Sequence, residues 1–312
     1  RARRSAAVAS TELLLLGVDG WRVVDAPHEA EAIVVNTCAF IGEAKEESID
    51  AILEMAEYKA EGRCKALVVS GCLAQRYVNE LSQEIPEVDI FLGTSEYDRI
   101  GEVLERTADM PRRVVSDPDF VATSVVPRVN SMPRHTAYLK IAEGCSNKCA
   151  FCIIPTLRGV QNSREISDLV VEAERLASSG VKELILVAQD LTAYGVDLPQ
   201  RPQLHDLVTA LAEVEGIAWI RLMYAYPRNI REPLVELLRD HEKVLPYLDM
   251  PIQHINGAML KRMNRGTSPD KIRRILGRLR TEIPHLTMFL FDSRMKFHPI
   301  SILEKLGLML VI

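Results

Sequence analysis

Ala137-Tyr138-Leu139-Lys140-Ile141-Ala142-Glu143-Gly144-Cys145-Ser146-Asn147-Lys148-Cys149-Ala150-Phe151-Cys152 opens on residues that read as a β-strand and runs straight into a loop with three cysteines. Thiolates at this CxxxCxxC spacing can ligate three corners of a cubane iron-sulfur cluster and leave its fourth iron without a protein ligand. Four-cysteine spacings fill every iron and suit electron transfer. An open iron lets a small molecule bind the metal, so the loop points to chemistry. Zinc sites usually take four ligands in paired spacing, and no second pair or histidine follows within 50 residues of Cys152. A disulfide would need an oxidising compartment and matched partners, which nothing in the chain suggests.

Downstream of the loop, strand and helix alternate. Leu169, Val170, Ala173, Leu176 and Ala177 mark one face of a helix ended by Gly180, and Leu184-Ile185-Leu186-Val187 is the next strand. A helix with Leu204, Leu207, Val208 and Leu211 follows, then the strand Trp219 to Tyr224 and a helix with Leu234, Leu237 and Leu238. Tyr247-Leu248-Asp249-Met250 is a further strand, and Ile272, Ile275, Leu276 and Leu279 mark a further helix. This is barrel-like repetition, in which chemistry sits in the loops after the strands. The cysteine loop follows the first strand.

Upstream, from Trp21 to about residue 106, the alternation is of another kind. Ala32-Ile33-Val34-Val35-Asn36-Thr37 and Ala66-Leu67-Val68-Val69-Ser70 read as buried strands, and Asp89-Ile90-Phe91-Leu92 closes the series. Helices are expected over Glu43 to Lys59 and near Ala74 to Leu81. Strand, helix, strand in this rhythm predicts parallel pairing in an open, doubly wound sheet. Cys38 and Cys72 each follow a strand, so both should lie at the carboxyl edge, where such sheets bind ligands. The bland reading is that both are buried small hydrophobes. Cys64 precedes its strand, on the opposite edge, and reads as incidental. Residues 107–134, with Pro111, Pro118, Pro127 and Pro133, read as a linker.

Composition agrees with a cytoplasmic enzyme. The chain has 312 residues, 47% hydrophobic and 26% charged, enough for two cores. Its net charge of -5 excludes a protein basic overall, so a nucleic-acid contact would need a local patch. No apolar run is long enough to span a bilayer. Arg1 to Arg4 before Leu13 to Leu16 mimic a secretion signal, but Glu12 abuts the leucines and no small-residue cleavage site follows. Thr11 to Leu16 read as part of a helix.

CxxxCxxC directly after the first strand of a β/α repeat resembles the radical S-adenosylmethionine (SAM) superfamily. Val35-Asn36-Thr37-Cys38-Ala39-Phe40-Ile41, Ser70-Gly71-Cys72-Leu73-Ala74-Gln75-Arg76 and Cys149-Ala150-Phe151-Cys152-Ile153-Ile154-Pro155 resemble its methylthiotransferase branch. Ala188 to Gly195 and Tyr247 to His254 are most similar to the type that modifies an aspartate of a small-subunit ribosomal protein. The resemblance spans roughly Thr11 to Leu286. It implies an amino-terminal doubly wound domain over residues 1–106, a linker over 107–134, and a truncated partial β/α barrel over 135–312 whose family match ends near 287.

What the resemblance implies about chemistry is specific. Cys145, Cys149 and Cys152 would hold a 4Fe-4S cluster whose open iron takes the amino and carboxylate groups of SAM. An electron from a reduced flavodoxin or ferredoxin type of donor would then yield a 5′-deoxyadenosyl radical. Phe151 would pack on the adenine, and Gln189, Arg221 and Gln253 would hold the methionyl and ribose groups. Ordinary core packing and locally satisfied polar groups are the plain alternatives. Cys38 and Cys72 match two of three ligands to a second 4Fe-4S cluster that supplies or relays sulfur. The third belongs about where Arg1 to Arg4 stand, and no cysteine occurs there. Past Thr287 the wording departs from the family, with loss of the strand expected there.

Two other readings stay open. A transfer-RNA methylthiotransferase would share both cysteine sets. Lys261, Arg262, Arg265, Lys271, Arg273, Arg274, Arg278 and Arg280 would be its basic stripe, although on amphipathic helices such charges usually form a solvated face. A scaffold stabilised by iron-sulfur or zinc would use metal only for folding.

Overall fold

Val34, Val35, Val68 and Val69 are all buried, as central strands of a parallel sheet must be when helices cover both faces. The computed structural model describes residues 4–9, 21–126, 130 and 132–292. Within them the chain forms two compact units, one made of the described residues up to 130 with 153–160, the other of 132–152 with 161–292. The helix expected over Thr11 to Leu16 lies outside the described residues.

The first unit has β1 (Arg4–Ala9), β2 (Trp21–Val23), β3 (Ala32–Thr37), β4 (Ala66–Gly71), β5 (Ile90–Leu92) and β6 (Arg113–Val114). All pairings are parallel, in the order β2-β1-β3-β4-β5-β6. The strand order reverses at β1, the switch point of a doubly wound sheet. Helices α1 (Gly42–Glu61) and α2 (Cys72–Glu84) cover one face through Ile52, Met55 and Leu73, packed with Ile33, Val35 and Val69. Helix α3 (Ile100–Glu105) covers the other through Ile100, Val103 and Leu104. The short helix α4 (Ile154–Arg158) packs with α2 through Leu157.

The second unit begins with β7 (Thr136–Lys140) and β8 (Ala142–Glu143), which pairs antiparallel with β9 (Asn162–Ser163). Then come α5 (Ile166–Ser178), β10 (Glu183–Val187), α6 (Leu204–Ala212), β11 (Trp219–Leu222) and α7 (Glu232–Asp240). The unit ends with β12 (Val244–Gln253), α8 (Gly257–Arg262), α9 (Pro269–Glu282) and β13 (Thr287–Asp292). The sheet runs β13-β12-β11-β10-β7, wholly parallel and in chain order, as in a partial barrel. Leu139, Leu186, Leu222 and Leu248 face the helices, with Leu169, Leu207, Leu234 and Leu279 against them. One residue out of step, Ile185, Val187 and Met223 pack with Tyr138, Tyr224 and Tyr247 in a separate cluster on the other side.

Strands β1, β8 and β9 are not expected from the sequence, and two further elements contradict its reading. Strand β6 lies inside the stretch read as linker, because two paired residues are too short to show any periodicity. The strand expected to be lost after Thr287 is present as β13, where Met288 to Phe291 pair with β12 despite the changed wording. Among the described residues no helix is long and apolar enough to cross a membrane.

Candidate active site

The cysteine loop is pinned at its base by the β8–β9 pair and by Glu143, a buried carboxylate. Lys140 Nζ donates to Glu143 at 2.7 Å and Gln189 Nε2 at 2.5 Å. Gly144 then turns at φ +74°, a conformation that favours glycine, and hands the chain to Cys145.

Each of the first two cysteines meets an N–H donor. Cys145 is 8% exposed. Burial pushes its thiol up, opposed by hydrogen bonds from Asn147. Asn147 Nδ2 lies 3.5 Å from Cys145 Sγ and donates to Asp190 Oδ2 at 2.8 Å. Asp190, 1% exposed, is raised by burial against the hydrogen bonds of Thr192 and Asn147. Cys149, half-buried, accepts from Arg265 Nη1 at 3.4 Å. Cys152, also half-buried, donates its N–H to Cys149 O at 3.1 Å.

The middle of the loop rests on the turn after α8. Met263 O accepts from Ala150 N at 2.9 Å, and Asn264 Nδ2 donates to Lys148 O at 2.6 Å. Arg265 is 6% exposed, stands 4.1 Å over the Tyr226 ring and donates to Pro251 O. Tyr226 in turn donates to Arg265 O, and burial pushes its phenol up to about 12.

Gln189 is brought to the loop's base through Glu143, while its Oε1 is buried without a hydrogen-bond partner. Gln253 ends β12 at φ +66°, two residues beyond the carbonyl that holds Arg265. Phe151 is 48% exposed. Arg221 sits level with Ile185 in mid-β10, paired with Glu183 at 2.7 Å and 5.0 Å over the Tyr247 ring. Sequence reasoning missed Asn147, Asp190 and Arg265 as partners of the loop. Arg265 was expected on a solvated basic face, yet it is buried. Two other members of that stripe are paired, Arg278 with Glu282 at 2.6 Å and Arg273 with Asp270 at 3.4 Å.

Among the described residues no three His, Cys, Asp or Glu side chains converge as one metal ion would require. A cubane asks for something else, one thiolate at each of three corners, with donors to the sulfurs. The loop's three cysteines and the N–H groups directed at two of their sulfurs fit that demand.

In the first unit, Thr37 and Gly71 are the last paired residues of β3 and β4, so Cys38 and Cys72 leave neighbouring strands at the same carboxyl edge. Cys38 N donates to Ser48 Oγ at 3.0 Å. Gly71 has φ +99°, and a Cβ there would stand 2.5 Å from Thr37 O. Ser70 Oγ, at the end of β4 just before Gly71, is buried and has no hydrogen-bond partner. Two cysteines leaving adjacent strand ends, with a backbone between them that admits no Cβ at Gly71, fit a sulfur-rich cluster at this edge. Cys64 Sγ donates to Ala66 O at 3.2 Å, and burial raises its thiol.

A three-cysteine loop at the carboxyl edge of an open parallel β/α sheet defines a radical SAM protein. The chain belongs to that superfamily, whose model matches residues 139–294, half of the chain. Residues 8–93 match a second model, described as Uncharacterized protein family UPF0004. The chain is 57% identical over 269 residues to the ribosomal protein uS12 methylthiotransferase RimO of Myxococcus xanthus, with 86% of this chain and 56% of that protein covered. It is 50% identical over 275 residues to RimO of Geobacter sulfurreducens, covering 88% and 62%. It therefore spans about three fifths of the length of these relatives. Among solved structures, TsrM of Kitasatospora setae, a radical SAM methyltransferase with cobalamin and a [4Fe-4S] cluster bound, matches with a TM-score of 0.67 at 13% identity, covering 93% of this chain and 69% of that one. The cobalamin-dependent radical SAM enzyme OxsB matches with 0.61 at 11%, covering 93% and 49%. These two show likeness of fold alone.

Proposed function

We propose that this chain carries the catalytic units of a methylthiotransferase that attaches a methylthio group to the β-carbon of an aspartate in a small-subunit ribosomal protein. The observation that carries this reading is the 57% identity over 269 residues to a uS12 methylthiotransferase. The donor-lined loop supports it. Cys145, Cys149 and Cys152 hold a 4Fe-4S cluster, which when bound supplies the electron that cleaves SAM. Around it the chain's own residues position and exclude. Asn147 and Arg265 orient two sulfurs, Asp190 fixes Asn147, and Glu143 fixes Gln189 beside the loop. Gln253, at a strand end, meets the methionyl or ribose groups, and Phe151 the adenine. Arg221 serves the same cosubstrate only by leaving Glu183. Cys38 and Cys72 take part in a second 4Fe-4S cluster that provides or relays sulfur. The enzyme works in the cytoplasm with a reduced flavodoxin or ferredoxin type of donor.

The test compares a strain lacking the gene with the same strain carrying it. Mass spectrometry should find the methylthiolated ribosomal aspartate only when the gene is present. A methylthio group restored to transfer RNA, with the aspartate unmodified, would move the assignment to the transfer-RNA reading. Absence of SAM cleavage by the reconstituted protein would return it to a scaffold.

A further inference from the structure

Arg265 presents an electrostatic problem that the fold alone does not solve. A guanidinium 6% exposed has lost most of its hydration, and a buried cation is costly unless an anion compensates it. Its partners are the Pro251 carbonyl, the Tyr226 ring and Cys149 Sγ, and Nε has no hydrogen-bond partner. Asp190 feels its charge, but among the described residues no carboxylate pairs with it. The sulfur of Cys149 becomes anionic when it ligates iron. The neighbouring residues of the turn hold the loop on either side of that sulfur, through Lys148 O and Ala150 N.

We propose that Arg265 is a positioning residue for the cluster: its guanidinium is the counter-charge and hydrogen-bond donor to the iron-bound sulfur of Cys149, and the Met263–Arg265 turn holds the loop in shape for cluster uptake. The proposal rests on the cluster assignment above and is independent of which substrate is methylthiolated. A positive donor at a cluster sulfur stabilises the state with the extra electron, so it raises the reduction potential. Outer partners of metal ligands typically contribute roughly 10- to 100-fold in affinity or activity.

The experiment uses the anaerobically reconstituted protein and its Arg265→Gln and Arg265→Lys variants. Redox titration followed by electron paramagnetic resonance should place the Gln variant at a more negative midpoint than wild type, with Lys between them. SAM cleavage at fixed reductant should fall roughly 10- to 100-fold in the Gln variant and recover in part with Lys. A Gln variant with full iron content and an unchanged midpoint would overturn the proposal. Should the variants fail to fold, the wild-type protein labelled with nitrogen-15 arginine decides. Pulsed resonance should detect a guanidinium nitrogen coupled to the reduced cluster, and no such coupling would overturn the proposal. A wild-type protein that takes up no cluster would overturn it together with the cluster assignment. Coupling present with no ribosomal modification would leave it standing and remove only the proposed function.

Discussion

In the second unit three cysteines crowd into one loop, and one of their sulfurs takes its donor from Arg265, 116 residues further along the chain. In the first unit the arrangement is reversed. Cys38 and Cys72 are far apart in the chain and are brought to one edge by strand register, while Ser48, Ser70 and Gly71 shape that edge from nearby. A centre whose proposed ligands are local depends on distant scaffolding, and one whose proposed ligands are distant depends on the backbone geometry of its strands. The two should therefore fail in different ways.

The largest effect should come from the ligands themselves. Replacing Cys145, Cys149 and Cys152 with alanine is expected to abolish the cubane signal and the release of 5′-deoxyadenosine from SAM. Cys38→Ala or Cys72→Ala should leave that release in place and stop only transfer of the methylthio group. Assays of iron content, deoxyadenosine and methylthiolated product on the same samples would separate the two. If the loop variant still cleaved SAM, the comparison would break at its root.

The second unit also carries a buried carboxylate that opposes its stability. Asp249 is 1% exposed, and burial pushes its carboxyl up to about 6, opposed by the hydrogen bond it accepts from Tyr224 N. A carboxyl raised on folding favours the folded state at pH below its unfolded value, and that contribution is lost as pH rises through about 6. Asp249→Asn keeps an acceptor for Tyr224 and removes the charge. Urea unfolding should find the variant more stable by up to about 3 kcal/mol above pH 6 and little different near pH 4. An identical pH profile for the two proteins would show that the carboxyl is not strained. A stabilised variant that no longer cleaves SAM would mark Asp249 as retained for function.

In the first unit the corresponding weak point is backbone. Gly71→Ala forces a Cβ against Thr37 O at φ +99°, so the strand ends beside Cys38 and Cys72 must part. A loss of about 1–3 kcal/mol in stability is expected, with second-cluster iron reduced and SAM cleavage retained. Unfolding at unchanged midpoint would show that the strand ends yield freely.

How much of this was legible in the sequence follows the same division. The place of the cysteine loop after a strand was legible because its three cysteines lie within eight residues of chain, and that of the two cysteines at the sheet edge because buried strands announce themselves as Val and Ile runs. Arg265 was not legible. Its neighbours Lys261, Arg262 and Lys271 are exposed, so its charge read as one more solvated position, and only the folded β12 brings Pro251 O within its reach. Asp190 was hidden beside Gln189, since a carboxylate at a strand end does not announce that its partner is an asparagine 43 residues earlier. The short β6, β8 and β9 carried no periodicity at all.

The finest test of the comparison lies in Asn147, a local donor in a centre whose other donor comes from far away. Its Nδ2 serves Cys145 Sγ and Asp190 Oδ2, and its Oδ1 accepts from Arg228 at 3.3 Å. Asn147→Ala leaves Asp190 with its Thr192 bonds on Oδ1 at 2.6 and 3.0 Å but takes the side-chain donor from Oδ2. A buried acceptor deprived of one partner costs about 1–2 kcal/mol, less than the loss expected at Gly71 when strain is greatest. The cluster should still assemble, because all three thiols remain, but iron should leave faster to a chelator and SAM cleavage should fall roughly tenfold. Asn147→Asp should do worse than alanine, since it sets a second carboxylate against a buried one. If alanine and aspartate behaved alike, and both like wild type, the bond to Asp190 would be incidental, and the distant turn at Arg265 would carry the loop alone.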